Sequence, residues 1–250
     1  MGAKSKREFT LLREPEARRD LAALYRLAVN YGWTDLTSTH ISARIDGEPD
    51  HYLLNSHDLL FDEICASNLV KMAYDGEMDL PGRVLNQAGH IIHSSVLQAR
   101  PDINFVMHSH TRAGIAVSAM PQGLMALSQH AGFVLGTLST HKYQDSTAVA
   151  NEGELLARDL GNNYCMLLEN HGILVVGRTA AEVFKYHYMM EMSCKIQIDV
   201  LSCCDNPIEI EPEALEALID WGDPNNGTKG WHHWDALIRK LDRTQPDYKD

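Results

Sequence analysis

The stretch HSSVLQARPDINFVMHSHTRAGIAVS, residues 93–118, decides the fold of this 250-residue chain. Asn86 can cap the start of a helix that contains the first part of the stretch. The helix is expected to end near Arg100, because Pro101 disfavours helical backbone at the residue before it. Residues 103–110 then form an apolar run with the length of a buried strand. This alternation of helix and strand is typical of an α/β domain.

Two histidines lie two residues apart near the end of the predicted strand. Side chains alternate between the two faces of a strand, so His108 and His110 point to the same face, together with Val106. Two imidazoles on one face are a natural pair of metal ligands when a third ligand arrives from elsewhere in the chain. The same spacing also occurs in hydrogen-bonded histidines at a surface or in a cleft, and the spacing alone leaves both interpretations open.

A third histidine interrupts an apolar region further along the chain. The sequence ENHG, residues 169–172, separates two apolar runs at residues 166–168 and 173–176. A polar break that is followed by glycine predicts a tight turn or a bulge, which would re-aim the side chain of His171. A plain hairpin with a polar turn is the alternative interpretation.

Further helical and strand patterns flank these motifs on both sides. Helices and strands are predicted at residues 15–31, 39–45, 52–55, 70–74 and 179–202. We therefore predict one α/β domain over residues 15–203. Residues 204–250 are predicted to form a C-terminal tail, which has a short amphipathic helix at residues 231–241 and packs on the domain or on a neighbouring subunit.

The composition excludes several classes of partner. The chain has 34 acidic and 22 basic residues, which gives a formal net charge of −12. Phosphate backbones and anionic membranes are bound by basic patches, so we expect neither nucleic acid nor a membrane as a partner. No apolar run approaches the roughly 20 residues of a bilayer span, and no secretory signal is predicted. Five cysteines without CxxC spacing indicate reduced thiols, and we expect a cytoplasmic protein.

Two of the quoted stretches resemble the signatures of the class II aldolase/adducin family. One is residues 93–118, and the other is MLLENHGILVVGRTAAEVF at residues 166–184. Residues 39–44 and 54–59 are similar to the N-terminal loops of the family in weaker form. The resemblance implies a three-layer α/β/α sandwich with a central, mainly antiparallel sheet. It also implies a homo-oligomer, usually a tetramer, whose active sites lie between subunits.

The resemblance further implies a metal site. The histidines of the HxH strand and of the NHG turn are metal ligands in the sugar-phosphate aldolases of the family, and here they are His108, His110 and His171. The implied cofactor is a divalent metal ion, zinc in the first place, with manganese or iron as alternatives. In those enzymes the metal polarises a carbonyl and stabilises an enediolate, so that a C–C bond can break or form. The same Lewis acid would stabilise the carbanion that decarboxylation leaves.

The sequence departs from the family at the catalytic acid/base. The family's aldolases carry a glutamate one helical turn before the histidine that matches His93, and this chain has Gly89 at that position. Glycine has no side chain that can transfer a proton. We predict that His90 and Tyr143 are the catalytic side chains, with water or a substrate group on the metal as the alternative.

The phosphate-binding loops also differ from the family pattern. The small residues of those loops match Thr39-His40, His57-Asp58 and Gln87-Ala88 here. A phosphate cradle needs small residues with free backbone N–H groups, so a sugar phosphate is a poor match. Imidazole and guanidinium groups suit a carboxylate, a phenol or a keto acid better. The residues predicted to contact such a small-molecule substrate are His40, His57, Gln87 and Arg112.

Three functions are compatible with this combination of intact metal ligands and altered loops. The first is a metal-dependent lyase, either an aldolase or a decarboxylase. It would cleave a C–C bond of a small non-phosphorylated hydroxy acid, keto acid or aromatic carboxylic acid through a metal-stabilised enolate. The second is a non-haem iron oxygenase, although the better-known iron site has two histidines and one carboxylate. The third is a non-catalytic interaction module of the adducin kind, which would fit the loss of the glutamate.

Overall fold

A sheet of seven strands with helices on both sides forms the part of the chain that the computed structural model describes, residues 11–80, 82–144, 151–226 and 231–250. The strands are β1 (His40–Arg44), β2 (His51–Leu54), β3 (Val70–Ala73), β4 (Phe105–Ser109), β5 (Leu138–His141), β6 (Cys165–Leu168) and β7 (Gly172–Gly177). The α-helices are α1 (Glu14–Tyr31), α2 (Gln87–Ala99), α3 (Arg112–Ser118), α4 (Gln129–Leu135), α5 (Glu152–Leu160), α6 (Ala180–Leu201), α7 (Pro212–Gly222) and α8 (Trp231–Thr244).

The order of the strands across the sheet is β3-β2-β1-β4-β7-β6-β5. Every neighbouring pair in this order is antiparallel except β5 and β6, which are parallel. The prediction of a mainly antiparallel sheet is therefore confirmed. The strand β4 lies at the centre, between β1 and β7, so the HxH motif is in the middle of the molecule.

Helices cover both faces of the sheet. On one face, the hydroxyl of Tyr25 in α1 accepts the backbone N–H of Ile41 in β1 at 2.8 Å. On the other face, the imidazole of His93 in α2 contacts the hydroxyl of Ser42, the next residue of the same strand. Successive side chains of a strand point to opposite faces, so α1 and α2 lie in different layers. The helix α6 packs with α1, and α5 packs with α2, which confirms the three-layer sandwich.

The central strands are buried along their whole length, because both faces of the sheet are covered. All residues of β4, β6 and β7 are buried. Strands of this kind read as continuous apolar runs and not as alternating patterns. The two apolar runs around the ENHG sequence are therefore the two strands of one hairpin, β6 and β7.

Side-chain caps determine where the helices α2 and α6 begin. The side chain of Asn86 accepts the N–H of Gly89 at 2.9 Å and starts α2. The side chain of Thr179 accepts the N–H of Glu182 at 3.2 Å and starts α6. The sequence did not predict the helices α3, α4, α5 and α7 or the strand β5. The helices α3 and α4 have seven residues each, about two turns, which is too short for a 3.6-residue period to be recognised.

The residues after α6 are more ordered than their composition indicates. The helix α7 begins at Pro212, a residue that fits the first turn of a helix, and it packs against α4. A Cβ atom at Gly222 would lie 2.1 Å from the carbonyl oxygen of Phe133, so the two helices are in close contact. The helix α8 packs on α6 and α1. A division of the chain between residues 203 and 204 stays a proposal. In the described part of the chain, no helix combines the length and the apolarity of a membrane span.

Candidate metal centre

Three histidine side chains converge where β4 ends and where the β6–β7 hairpin turns. The strand β4 ends at Ser109, one residue earlier than predicted, so His110 directly follows the strand. His171 lies in the turn of the hairpin, and the pairing of Ser109 with Ile173 brings this turn beside the end of β4. The Nε2 atom of His110 is 2.8 Å from Nε2 of His108 and 3.0 Å from Nε2 of His171. The structure thus brings together the three histidines that were predicted as ligands.

The turn that carries His171 depends on two backbone conformations. Asn170 has a φ of +55°, in the left-handed region that asparagine tolerates better than most residues. Gly172 allows the chain to pass very close to β4, because a Cβ atom there would lie 2.2 Å from the carbonyl oxygen of Ser109. The ENHG sequence is therefore a hairpin turn and also the element that directs an imidazole toward β4.

The Nδ1 atoms of two of the histidines are held by acceptors outside the cluster. Nδ1–H of His108 donates to the carbonyl oxygen of Ile173 at 3.0 Å. Nδ1–H of His110 donates to a carboxylate oxygen of Asp35 at 3.0 Å. An imidazole that donates through Nδ1 keeps a lone pair on Nε2, and second-shell acceptors of this kind orient metal-binding histidines. Both Nε2 lone pairs consequently point into the cluster.

Two members of the cluster, His108 and His171, resist protonation, which favours their role as metal ligands. Burial and then the neighbouring imidazoles hold the pKa of His108 well below its usual value. Burial and then His110 and His141 lower the pKa of His171 to about 4. The Nε2 atoms of His108 and His110 are 2.8 Å apart, and a divalent cation that both imidazoles bind through these atoms would lie between the two rings. A tetrahedral zinc ion with nitrogen ligands at 2.0–2.1 Å needs nitrogens about 3.3 Å apart, so a small opening of the cluster accommodates it.

No other set of metal-ligating side chains competes with this one in the described residues. Among the residues that the structure describes, one group of three histidine, cysteine, aspartate or glutamate side chains has its ligand atoms within 4.8 Å of one another. This group is His108, His110 and His171. We refer to these three residues as the His triad. The donor set is three neutral nitrogens, which suits zinc and also other divalent transition metals.

His40 borders the His triad from the neighbouring strand. It is paired with His108 across β1 and β4, and the centres of the two rings are 5.1 Å apart. Its Nδ1 is 2.7 Å from Nε2 of His93, whose own Nδ1 contacts the hydroxyl of Ser42. Burial and then the nearby imidazoles keep the pKa of His40 well below its usual value, and burial lowers that of His93 to about 3. His93 thus makes its hydrogen bonds within the fold.

Two further residues predicted to bind substrate are His57, in the loop after β2, and Gln87, at the start of α2. His57 is half-buried, and its backbone N–H donates to the carbonyl oxygen of Val84 at 2.9 Å. Gln87 is exposed at the first position of α2. Their contact with a substrate stays a prediction.

The remaining predicted residues differ in their distance from the His triad. Tyr143 is 60% exposed, and its ring centre lies 6.0 Å from that of His171, so its hydroxyl is available at the rim of the site. His90 instead contacts the hydroxyl of Tyr52 at 2.7 Å, and no described contact joins it to the His triad. Arg112 is exposed at the start of α3 and lines a separate cavity of about 330 Å³.

Asp35 is a functional candidate that the sequence did not indicate. It is 75 residues from His110 in the chain and lies in a loop without a recognisable motif, so no spacing rule could connect the two residues. Its carboxylate both accepts the Nδ1–H of His110 and places a negative charge close to the proposed cation.

Replacing Asp35 with asparagine should weaken metal binding without unfolding the protein. The substitution removes the negative charge that orients His110, and changes to such partners typically reduce metal affinity about 10–100-fold. Isothermal titration with zinc measures the effect, and Asp62→Asn, at an exposed aspartate in the short 3-10 helix Phe61–Glu63, is the control. Equal zinc affinity in Asp35→Asn and in the control would show that the carboxylate has no such role.

Comparisons with known proteins agree with this geometry. The family model for the class II aldolase and adducin N-terminal domain matches residues 19–198. The chain belongs to the class II aldolase and adducin family. A Caulobacter vibrioides protein, named for the class 2 aldolases, is 42% identical over 242 residues, which cover 95% of this chain and 93% of that protein. Alpha-adducin from Mus musculus is 35% identical over 241 residues, covering 90% of this chain but 33% of the adducin.

Solved structures of the family have the same fold. An aldolase II superfamily protein from Pseudomonas syringae superposes with a TM-score of 0.89 at 40% identity, covering 99% of this chain and all of that one. An L-fuculose 1-phosphate aldolase from Glaciozyma antarctica PI12 superposes with a TM-score of 0.83 and covers the whole of this chain, but at 22% identity. The second likeness is one of fold alone. Class II aldolases use a divalent metal, and the His triad is a group in the described part of this chain that could bind one.

Proposed function

We propose that this chain is a divalent-metal lyase that cleaves a C–C bond of a small non-phosphorylated hydroxy acid, keto acid or aromatic carboxylic acid. The observation that carries the proposal is the convergence of three imidazole Nε2 atoms. Two of these imidazoles are held through Nδ1 by acceptors outside the cluster, so their lone pairs are committed to a common point. A purely structural cluster of histidines has no need for this arrangement.

A divalent ion held by the His triad would act as a Lewis acid and stabilise the negative charge that develops on a substrate oxygen when the C–C bond breaks. The ring of His40 borders this point from β1 and can hydrogen-bond to a substrate oxygen. Tyr143, exposed beside His171, is the side chain of the predicted catalytic pair that can reach a leaving group at the rim. His90 is bonded to Tyr52, so its participation would require that bond to break.

The character of the pocket favours an acid over a sugar phosphate. The positions that match the family's phosphate loops hold His40, His57 and Gln87, and not the small residues that a phosphate dianion needs. Neutral imidazoles and a carboxamide can donate hydrogen bonds to a carboxylate, a keto oxygen or a hydroxyl. The proposed substrate class rests on this set of donors.

The test begins with protein purified without chelators and loaded with zinc, manganese or iron(II). Hydroxy acids, keto acids and aromatic carboxylic acids are then screened for the release of an aldehyde or of CO₂. The proposal predicts metal-dependent release by at least one class of acid, and its loss in a His171→Ala protein. If metal-loaded protein releases neither product while iron-loaded protein consumes dioxygen, the reaction is an oxygenation and the lyase proposal is wrong.

A non-catalytic interaction module is the second candidate, and one observation favours it. The chain has glycine at position 89, and it is 35% identical to alpha-adducin over 90% of its length. The two candidates differ in what they require of the His triad. A binding module has no use for a loaded metal, so protein that binds no divalent ion and keeps its thermal stability in a chelator would favour the module.

The proposed lyase is an oligomer, as members of the family typically are. We propose a homotetramer in the cytoplasm, with the His triad near a subunit boundary. Among the described residues, exposed apolar side chains include Leu36, which directly follows the carboxylate that holds His110, and Tyr143 beside His171. Sedimentation equilibrium tests the assembly, and a monomer at micromolar concentration would contradict it.

A further inference from the structure

Gly89 and His40 share one space in the pocket. A Cβ atom built on Gly89 would lie 2.8 Å from Cδ2 of His40 and 3.1 Å from its Nε2. Both distances are shorter than the usual contacts of a Cβ atom, so the imidazole occupies the space into which a side chain at position 89 would extend. The glycine is thus linked to the histidine: a side chain at position 89 and the observed ring at position 40 exclude each other.

The ring of His40 is held in place through its other edge. Nδ1 of His40 is 2.7 Å from Nε2 of His93, and His93 in turn contacts Ser42. All three side chains are buried, with exposures of 2%, 0% and 0%. If the Ser42 hydroxyl donates to His93 and His93 donates to His40, then His40 keeps its remaining proton on Nε2. In this set of tautomers His40 Nε2–H is a donor that is not used within the chain of hydrogen bonds.

This Nε2 atom is available to a ligand. Among the described residues, no group forms a hydrogen bond with His40 Nε2. Polar side-chain atoms that lack a partner and are also shielded from solvent occur in the described residues, but His40 Nε2 is not one of them. It therefore reaches accessible space, on the side of β1 where His40 lies opposite His108. A donor that is fixed on one edge and open on the other can bind a substrate oxygen without a large loss of entropy.

We propose that His40 replaces a side chain at position 89 in the pocket, and that its Nε2–H donates to a carboxylate or other anionic oxygen of a substrate bound at the His triad. This inference rests on the proposed function and specifies which atom of His40 contacts the substrate, which charge that atom selects for, and why position 89 is a glycine. A neutral donor at this point accepts a negatively charged group, whereas a carboxylate at the same point would repel it. The exchange therefore selects for an anionic substrate, in agreement with the proposed acids.

The shared space is tested by a double-mutant cycle that needs no metal or ligand. Gly89→Ala should lower the melting temperature of the otherwise unchanged protein, because the new methyl group collides with the ring of His40. In a His40→Ala background, the same substitution should have no such effect or should raise the melting temperature, because the space is then empty. Equal losses in the two backgrounds would show that the two positions are independent, and the inference would be wrong.

The donor role is tested with oxalate, a planar dianion that can chelate a metal and resembles the enolate of a keto acid. Zinc-loaded protein is titrated with oxalate in three forms: unchanged, His40→Asn and His40→Gln. An asparagine amide can reach the position of Nδ1 and keep the contact with His93, but it has no atom near Nε2. A glutamine amide can reach the position of Nε2. We expect oxalate affinity to fall roughly 10-fold or more in His40→Asn and to be largely retained in His40→Gln.

Zinc affinity is measured in the same three proteins, and it should stay within about threefold of the unchanged protein. Equal oxalate affinity in His40→Asn and in the unchanged protein would overturn the inference about His40 but would leave the proposed function intact. A parallel loss of zinc would overturn it too, because His40 would then act on the metal and not on the ligand. If the unchanged protein binds no zinc, the proposed function fails and the donor role of His40 fails with it. This outcome is distinguishable from the two above, because in both of them the unchanged protein binds zinc.

Discussion

Replacing His108 with alanine is expected to abolish stable binding of divalent metal while the protein stays folded. The substitution removes one of three nitrogen ligands, and two imidazoles alone hold zinc weakly. The affinity should fall on the order of a thousandfold or more, since a site of this kind needs at least three protein ligands. His108 is buried beneath α2, so truncation also leaves a small cavity that costs about 1–3 kcal/mol of stability. Elemental analysis after dialysis measures the metal, and circular dichroism measures the fold.

A second buried histidine provides the control. His187 in α6 is as buried as His108, and its Nε2 contacts the hydroxyl of Ser109 at 2.6 Å, but it is not part of the His triad. His187→Ala should therefore lower the melting temperature by a comparable amount and keep the metal. If both variants lose metal equally, the loss reflects damaged packing. If His108→Ala unfolds in the presence of zinc while His187→Ala does not, His108 is structural.

Replacing Gly172 with alanine is expected to have the largest effect on stability. The new methyl group would lie 2.2 Å from the carbonyl oxygen of Ser109, which is a backbone atom, and the two residues belong to the paired strands β7 and β4. Neither strand can move without opening the centre of the sheet, so we expect a loss of about 3 kcal/mol or more in the free energy of unfolding. Because His171 directly precedes the substitution, zinc affinity should fall as well. Chemical denaturation and zinc titration measure the two effects.

Gly47→Ala separates the collision from ordinary backbone strain. Gly47 lies in the turn between β1 and β2 with a φ of +78°, and no atom lies within 4 Å of a Cβ built there. An alanine at this position experiences only the cost of the left-handed conformation, which is about 1 kcal/mol. A loss in Gly172→Ala that is no larger than the loss in Gly47→Ala would mean that the hairpin turn can adjust, and that the close approach of β7 to β4 is not required.

The sequence predicted the parts of the site that follow a local period. His108 and His110 are two residues apart at the end of β4, and this spacing predicted that both side chains lie on one side of the sheet, although the strand itself ends at Ser109. His171 required more, because the ENHG sequence predicts a turn but not the strand beside which that turn lies. The resemblance to the family supplied this pairing, and the register of Ser109 with Ile173 agrees with it.

The features that the sequence did not predict depend on contacts between distant segments. Asp35 reaches His110 across 75 residues from a loop without a motif. The absence of a glutamate at position 89 is visible in the sequence. The sequence does not show that the ring of His40, from β1, occupies the space of a side chain at position 89. The short helices α3 and α4 have seven residues each, and their faces are determined by the neighbours on which they pack.

We propose that His108, His110 and His171 hold the catalytic metal. X-ray absorption at the zinc edge identifies the atoms that bind zinc and is therefore the most direct measurement of this site. The measurement is made on zinc-loaded protein and on His171→Ala. In the unchanged protein we expect three imidazole nitrogens at 2.0–2.1 Å from the zinc ion, with the remaining ligand from solvent. We expect a spectrum with fewer imidazoles, or no bound zinc, in the variant. Sulfur ligands near 2.3 Å, or an imidazole shell that is unchanged in His171→Ala, would contradict this proposal.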